Sequence, residues 1–131
     1  MKKVLIGISI ILLSVFWIVV ITAVVKVQLN PLNRSNDKIR ESILEMTPIG
    51  TSMSDVREFI INNEEWEMSE VHNHGILMGE IGKTGDPIGT QSITTRIGKY
   101  TKLWEISVKA YWAFDKNSEL IEVRVVRYGG F

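Results

Sequence analysis

The 131-residue chain contains no cysteine. That absence removes disulfide scaffolding, thiolate metal sites and cysteine nucleophiles together. It also removes lipid attachment at an export signal, which needs a cysteine just after the apolar run. Proline is nearly as scarce, at three residues. There is also no block of like charge: 15 basic and 15 acidic residues give a formal net charge of zero. The balance is uneven, however. Residues 1–26 carry Lys2, Lys3 and Lys26 and no acid, while the remainder holds 12 basic against 15 acidic residues. A mildly acidic body with scattered charge lacks the basic stripe that phosphate backbones demand, so nucleic acid is not an expected partner.

What the chain has in abundance lies at its start. Val4 to Val25 is an uncharged run, VLIGISIILLSVFWIVVITAVV. At 1.5 Å per residue a helix of this length reaches about 33 Å, against a hydrocarbon core of about 30 Å. Lipid offers the backbone no hydrogen bonds, so a helix that satisfies itself is the expected form. Lys2 and Lys3 precede the run, and the positive-inside tendency keeps that flank in the cytoplasm. The competing reading is a cleaved export signal. Such signals have apolar cores of about 7–15 residues and a small-x-small cleavage site. Here the core is longer, and the candidate site Ile21-Thr22-Ala23 begins with a bulky residue. A retained single-pass anchor is therefore expected over residues 1–26, with the membrane contacted through residues 4–25. Either reading puts the C-terminal domain outside the cell membrane.

Residues 27–36 read as a polar linker containing Pro31. An extracytoplasmic domain is expected over residues 37–131. Asp37 opens a helical stretch in which Ile39, Ile43 and Met46 recur at helical spacing, and Thr47-Pro48 ends it. Gly50 then allows a turn. Ser52-Met53-Ser54-Asp55 has the spacing of a capping box, and Met53, Val56, Phe59 and Ile60 form one stripe behind it.

The remainder is strand-like. Trp66, Met68 and Glu70 alternate with Glu67, Ser69 and Val71 in a first strand, which is expected to turn at Asn73-His74-Gly75 and return through Ile76-Leu77-Met78. Residues 79–90 form a glycine-rich loop, and Ser92 to Tyr100 is weakly strand-like. The clearest pattern is Leu103 to Phe114: Trp104, Ile106, Val108, Ala110, Trp112 and Phe114 fall on one face. After a turn at Asp115–Ser118 the chain returns over Leu120–Tyr128, with Ile121, Val123 and Val125 inward. Two short helices packed on an antiparallel β-sheet make an α+β two-layer sandwich.

The run TPIGTSMSDVREFI, followed later by WAFDKNSELIEVRV, resembles two landmarks of the helix–helix–sheet fold. That fold is shared by β-lactamase-inhibitor proteins and by small outer-membrane lipoproteins that assist barrel assembly. In that group a Ser/Thr-x-x-acid-Val turn opens the second helix. A strand ending Phe-Asp, here Phe114-Asp115, leads through a polar turn to Leu-x-x-Val, here Leu120 to Val123. The plan also resembles small single-span membrane proteins of Gram-positive bacteria. The likeness covers roughly residues 38–131 and lacks the lipidated cysteine. It implies a domain that binds other proteins, and the matched pieces are structural, not catalytic. No cofactor is expected.

The chemistry-bearing residues are few. Glu70, His72 and His74 alternate, so a continuous strand would put three metal ligands on one face. They run into Asn73 and Gly75, though, and a solvated hairpin tip is the expected reading. Ser52 and Ser54 near Asp55 are explained as helix caps, and Glu64, Glu65 and Glu67 as a solvated face. The glycines of residues 79–89 do not match a phosphate loop. No small-molecule substrate is evident. The aromatic residues are better candidates: Trp66, Tyr111, Trp112 and Tyr128 are the expected partner-binding residues, Tyr111 because it lies opposite the apolar face. The expected function is a membrane-anchored, extracytoplasmic protein-interaction domain without catalytic activity, binding a protein or cell-envelope partner. An inhibitor or immunity-type protein that blocks a secreted enzyme or toxin is the alternative, and a metal- or ligand-sensing module built on His72 and His74 the third.

Overall fold

The computed structural model describes residues 1–29, 31–67, 70–101 and 103–129, with backbone alone for 23–29. It divides into two compact units, Met1–Asn33 and Arg34–Phe131.

The first unit is dominated by helix α1, Lys2–Leu29. Within it Lys2–Thr22 is long and apolar enough to cross a membrane, and none of that stretch is buried. Two of its hydroxyls bond back to the helix itself. Ser14 Oγ donates to the Ile10 carbonyl at 2.8 Å and Thr22 Oγ1 to the Ile18 carbonyl at 2.7 Å. Both bonds meet the demand of hydrocarbon that every polar group find its own partner. The helix continues to Leu29, past the expected span, and a short 3-10 turn at Pro31–Asn33 follows.

The second unit begins with α2, Asn36–Met46. Its cap is Ser35, whose Oγ accepts the Lys38 N–H at 3.3 Å, while Asp37 lies in the first turn. There its carboxylate faces the positive end of the helix dipole. Thr47 closes the helix as expected, its N–H bonded to the Ile43 carbonyl at 2.8 Å. Helix α3, Met53–Ile61, is capped by Ser52 Oγ on the Asp55 N–H at 3.2 Å. Gly50, at φ 91°, turns the chain between the helices. That turn is pinned to the sheet: the Gly50 N–H donates to the Leu120 carbonyl and the Met53 N–H to the Ser118 carbonyl.

Four antiparallel strands stand in the order β1-β2-β3-β4: Glu70–His72, Gln91–Thr101, Glu105–Phe114 and Leu120–Gly129. The architecture is the α+β class read from the pattern. The cross-strand rows Ile93–Trp112–Val123 and Thr95–Ala110–Val125 form the buried centre of the inner face. Ile39 and Ile43 of α2 and Val56 and Ile60 of α3 are buried too, supplying the helical half of the core. A fully buried polar contact links the two layers. The fully buried Trp112 donates its indole N–H to Thr47 Oγ1 at 3.3 Å, at the end of α2.

Helix α2 also guards the free edge of β4. Arg40 donates from Nε to the Val123 carbonyl at 2.8 Å and from Nη2 to Glu122 at 2.6 Å. From β4 in return, Arg127 bonds Asn36 Oδ1 and the Arg34 carbonyl. An edge strand covered in this way offers less backbone to foreign strands.

Three sequence expectations are corrected. The first strand does not return through Ile76–Met78. β1 instead pairs with β2, Val71 opposite Ile93, and Met78–Ile81 is a 3-10 turn. Met68 and Ser69 lie outside the described residues. Ile121 does not point inward; it is 39% exposed. A bulge after Ala113 sets Phe114 opposite Leu120 and Ala113 opposite Glu122, so Ile121 is the extra residue and Leu120 is buried in its place. Leu103 and Trp104 do not belong to β3, and both are exposed.

The outer sheet face is covered as well. Residues 76–90 cross it as a strap, closed by the mutual hydrogen bonds of Ile76 and Ile88 at 2.9 and 3.0 Å. Ile76 is buried with Tyr111 and Ala113, and Ile81, Ile88 and Val126 pack around them. Gly89 makes the strap's close approach possible. It sits at φ 80°, and a Cβ there would fall 2.6 Å from the Phe114 carbonyl oxygen. The glycine-rich segment is thus the lid of a second, smaller core.

Candidate partner-binding surface

The four aromatic candidates sort into two pairs on opposite faces of the sheet. Trp66 and Trp112 belong to the helix side. Trp112 is wholly buried, so it is a core residue and not a docking residue. Its inward position follows from the alternation of β3, and the helices cover it completely. Trp66, just beyond α3, is half-buried and packs edge-on against Phe59 at 5.4 Å between centroids, and at 6.0 Å against Trp112. It therefore caps the aromatic core with one part of its ring and meets solvent with the other.

Tyr111 and Tyr128 belong to the strap side. Tyr111, expected to be exposed, is only 4% exposed, because the strap lies over it. Its hydroxyl is 2.7 Å from that of Tyr128, which donates onward to the Glu80 carbonyl at 2.5 Å. Tyr128 spends its proton on Glu80, so Tyr111 is the donor between the two hydroxyls. Burial first, then this hydrogen bond, then the neighbouring Tyr128 and Glu80, push the Tyr111 phenol well above its ordinary value. The hydroxyl chain ties strand to strap. Tyr128 is 38% exposed, with Lys109 Nζ 5.2 Å from its ring centroid.

The remaining candidates do not converge. His72 and His74 stack face to face at 5.0 Å, and His74 Nδ1 lies 2.8 Å from the Gly75 carbonyl. Glu70 stands 3.8 Å from His72 Nε2, with its side chain mostly in solvent. Among the described residues no three of His, Cys, Asp or Glu are gathered as a metal cage. Ser52 Oγ is engaged at the α3 cap and lies 3.0 Å from Ser54 Oγ. Glu67 pairs with Arg96 of β2, while Glu64 and Glu65 are exposed.

One concave surface gathers several of these residues. A groove of about 470 Å³ runs along the end of α3, lined by Arg57, Ile60, Ile61, Asn63, Glu64, Trp66 and Glu67. Ile61 is 69% exposed there, while its neighbour Ile60 is 3% exposed and belongs to the core. Sequence reasoning found Trp66 but not Ile61. The signal was present: Ile61 lies one position off the Val56–Ile60 stripe, so a helix must turn it away from the sheet. Comparison with protein-family models, with curated proteins and with solved structures gives no match to this chain.

Proposed function

We propose that the chain is a non-catalytic, membrane-anchored interaction domain that works outside the cytoplasm and docks a protein partner in the α3 groove. The carrying observation is the pairing of a strongly exposed Ile61 with a half-exposed Trp66 in one concavity. An aliphatic and an aromatic side chain beside a rim of Glu64 and Arg57 match the apolar centre and polar edge of a docking patch. The body of the chain carries a small acidic excess, which favours a partner with a basic flank around its apolar contact.

The anchor complements this reading. Helix α1 is long and apolar enough to cross a bilayer, and Lys2 and Lys3 favour a cytoplasmic N-terminus. Tethering a binder to a membrane raises its effective concentration toward partners in the same envelope, without any new contact.

The test is affinity capture of detergent-solubilised full-length protein, compared with the Ile61→Asp variant. A protein recovered with the parent chain and lost with the variant supports the reading, provided the two unfold at the same temperature. If that protein is a single secreted hydrolase or toxin, the inhibitor reading is favoured within the same site. Equal recovery of the same proteins by both chains removes the groove from the account.

A further inference from the structure

The acidic excess of the domain is not spread over it. Residues 36–67, which contain both short helices and the turn after them, hold eight acidic residues against three basic ones. Residues 68–131, which contain the sheet and the strap, hold seven acidic against eight basic. The helical layer therefore carries the whole of the negative excess.

Little of that charge is neutralised in place. All eight acids are exposed. Among the described residues only Glu67 of the eight is in an ion pair, with Arg96 of β2. Of the three bases, Arg40 is turned onto Glu122 and the Val123 carbonyl of β4, which leaves Lys38 and Arg57.

The charge gathers around the groove. Asp55, Glu58, Glu64, Glu65 and Glu67 lie on α3 or in the turn that follows it, with Arg57 as the one base among them. At its nine residues α3 is about 13 Å long, so these charges act together even under a screening length of about 8 Å. Glu64 and Glu67 line the same concavity as Ile61 and Trp66. Apolar contact and negative field coincide there.

That coincidence selects the occupant. A second copy of the chain would set acid against acid, and like charges facing each other across an interface repel. Anionic headgroups and nucleic acid are turned away for the same reason. We propose that the groove takes a cationic polypeptide segment. An aliphatic or aromatic side chain of that segment sits against Ile61 and Trp66, and its lysines or arginines lie beside Glu58, Glu64 and Glu65. The proposal rests on the α3 groove being a docking site, and it adds the chemistry of the partner. A field of this kind also steers encounter, raising the association rate by about tenfold or more at low salt and losing that effect as salt rises.

The absence of cysteine makes a direct test available. Asn62→Cys sets one thiol beside Ile61 without removing a residue that lines the groove, and Lys83→Cys sets one on the strap. Each full-length variant receives a benzophenone maleimide, is mixed with a detergent extract of the cells' own envelope, and is illuminated. The joined peptide is then sequenced by mass spectrometry. The proposal predicts a partner peptide joined at position 62 and not at position 83, with lysine and arginine outnumbering acids around the junction. Its yield should fall about threefold or more as salt rises from about 0.05 M to about 0.5 M, and equally on adding Glu64→Gln and Glu65→Gln. A neutral or acidic peptide, or a yield indifferent to salt and to the two glutamines, overturns the cationic partner and leaves the groove standing. A second copy of the chain joined at position 62 overturns it as well. No adduct at position 62, or the same adducts from both positions, removes the groove and the proposal with it.

Discussion

Trp112 brings an indole N–H into the buried core, and Thr47 Oγ1 is placed to receive it. The hydroxyl is itself anchored, donating to the Ile43 carbonyl at 2.9 Å at the end of α2. A buried donor left without an acceptor costs about 1–3 kcal/mol, more than the bond itself contributes. Thr47→Val keeps the shape and removes the acceptor, so it should destabilise the domain by about that amount in urea unfolding. A variant as stable as the parent would show that the contact carries nothing. Tyr111 makes a different residue-scale prediction. Its phenol is held above the usual value in the folded state, and only the unfolded chain ionises near the ordinary value of about 10. The unfolded state then binds fewer protons, so this stabilisation is complete below about pH 10 and is lost as pH rises further. Tyr111→Phe should cost about 1 kcal/mol at neutral pH. Its stability should also fall less steeply than the parent's on the alkaline side, as read from urea midpoints across that range.

At the scale of elements, the strap over residues 76–90 is the part least legible in the sequence. Its glycines and Asp86-Pro87 mark it as irregular, which it is, but irregular chain is expected at the surface. What gives it a core of its own is three isoleucines, Ile76, Ile81 and Ile88, spaced too unevenly to read as strand or helix. The same blind spot misplaced Tyr111. The alternation of β3 correctly put it on the face opposite Trp112, and nothing local announced that a remote loop would cover that face. The β3–β4 hairpin, by contrast, was legible because its pattern is long and its turn chemistry clear; what escaped were the start of β3, at Glu105 and not Leu103, and the bulge at Ile121, since an inserted residue leaves the composition unchanged. Helices α2 and α3 were legible to within a residue or two, with Ser35 in place of Asp37 as the first cap. Two predictions belong at this scale. Ile76→Ala should cost about 2–5 kcal/mol, as for a fully buried aliphatic truncation. Gly89→Ala should loosen the strap from the sheet, seen as faster amide exchange at Ile76 and Ile88 than in the parent, because a Cβ there meets the Phe114 backbone.

For the whole molecule, the division at Asn33 separates a long apolar helix from a folded α+β domain. One unit exposes its apolar side chains along a single helix, and the other buries them on both faces of a sheet. The second unit holds its own caps, its own edge guard and both cores. A chain starting at Arg34 should therefore remain in solution without detergent and give the same sharp thermal transition as the domain within the full-length protein. The central claim concerns address: a span that keeps the N-terminus in the cytoplasm and holds the domain outside. The cysteine-free background again permits a single decisive label, this time at the β3–β4 turn. Lys116→Cys, expressed at the membrane of intact cells, should react with a membrane-impermeant maleimide before any permeabilisation. Labelling that appears only after the cells are opened would place the domain in the cytoplasm and contradict the account.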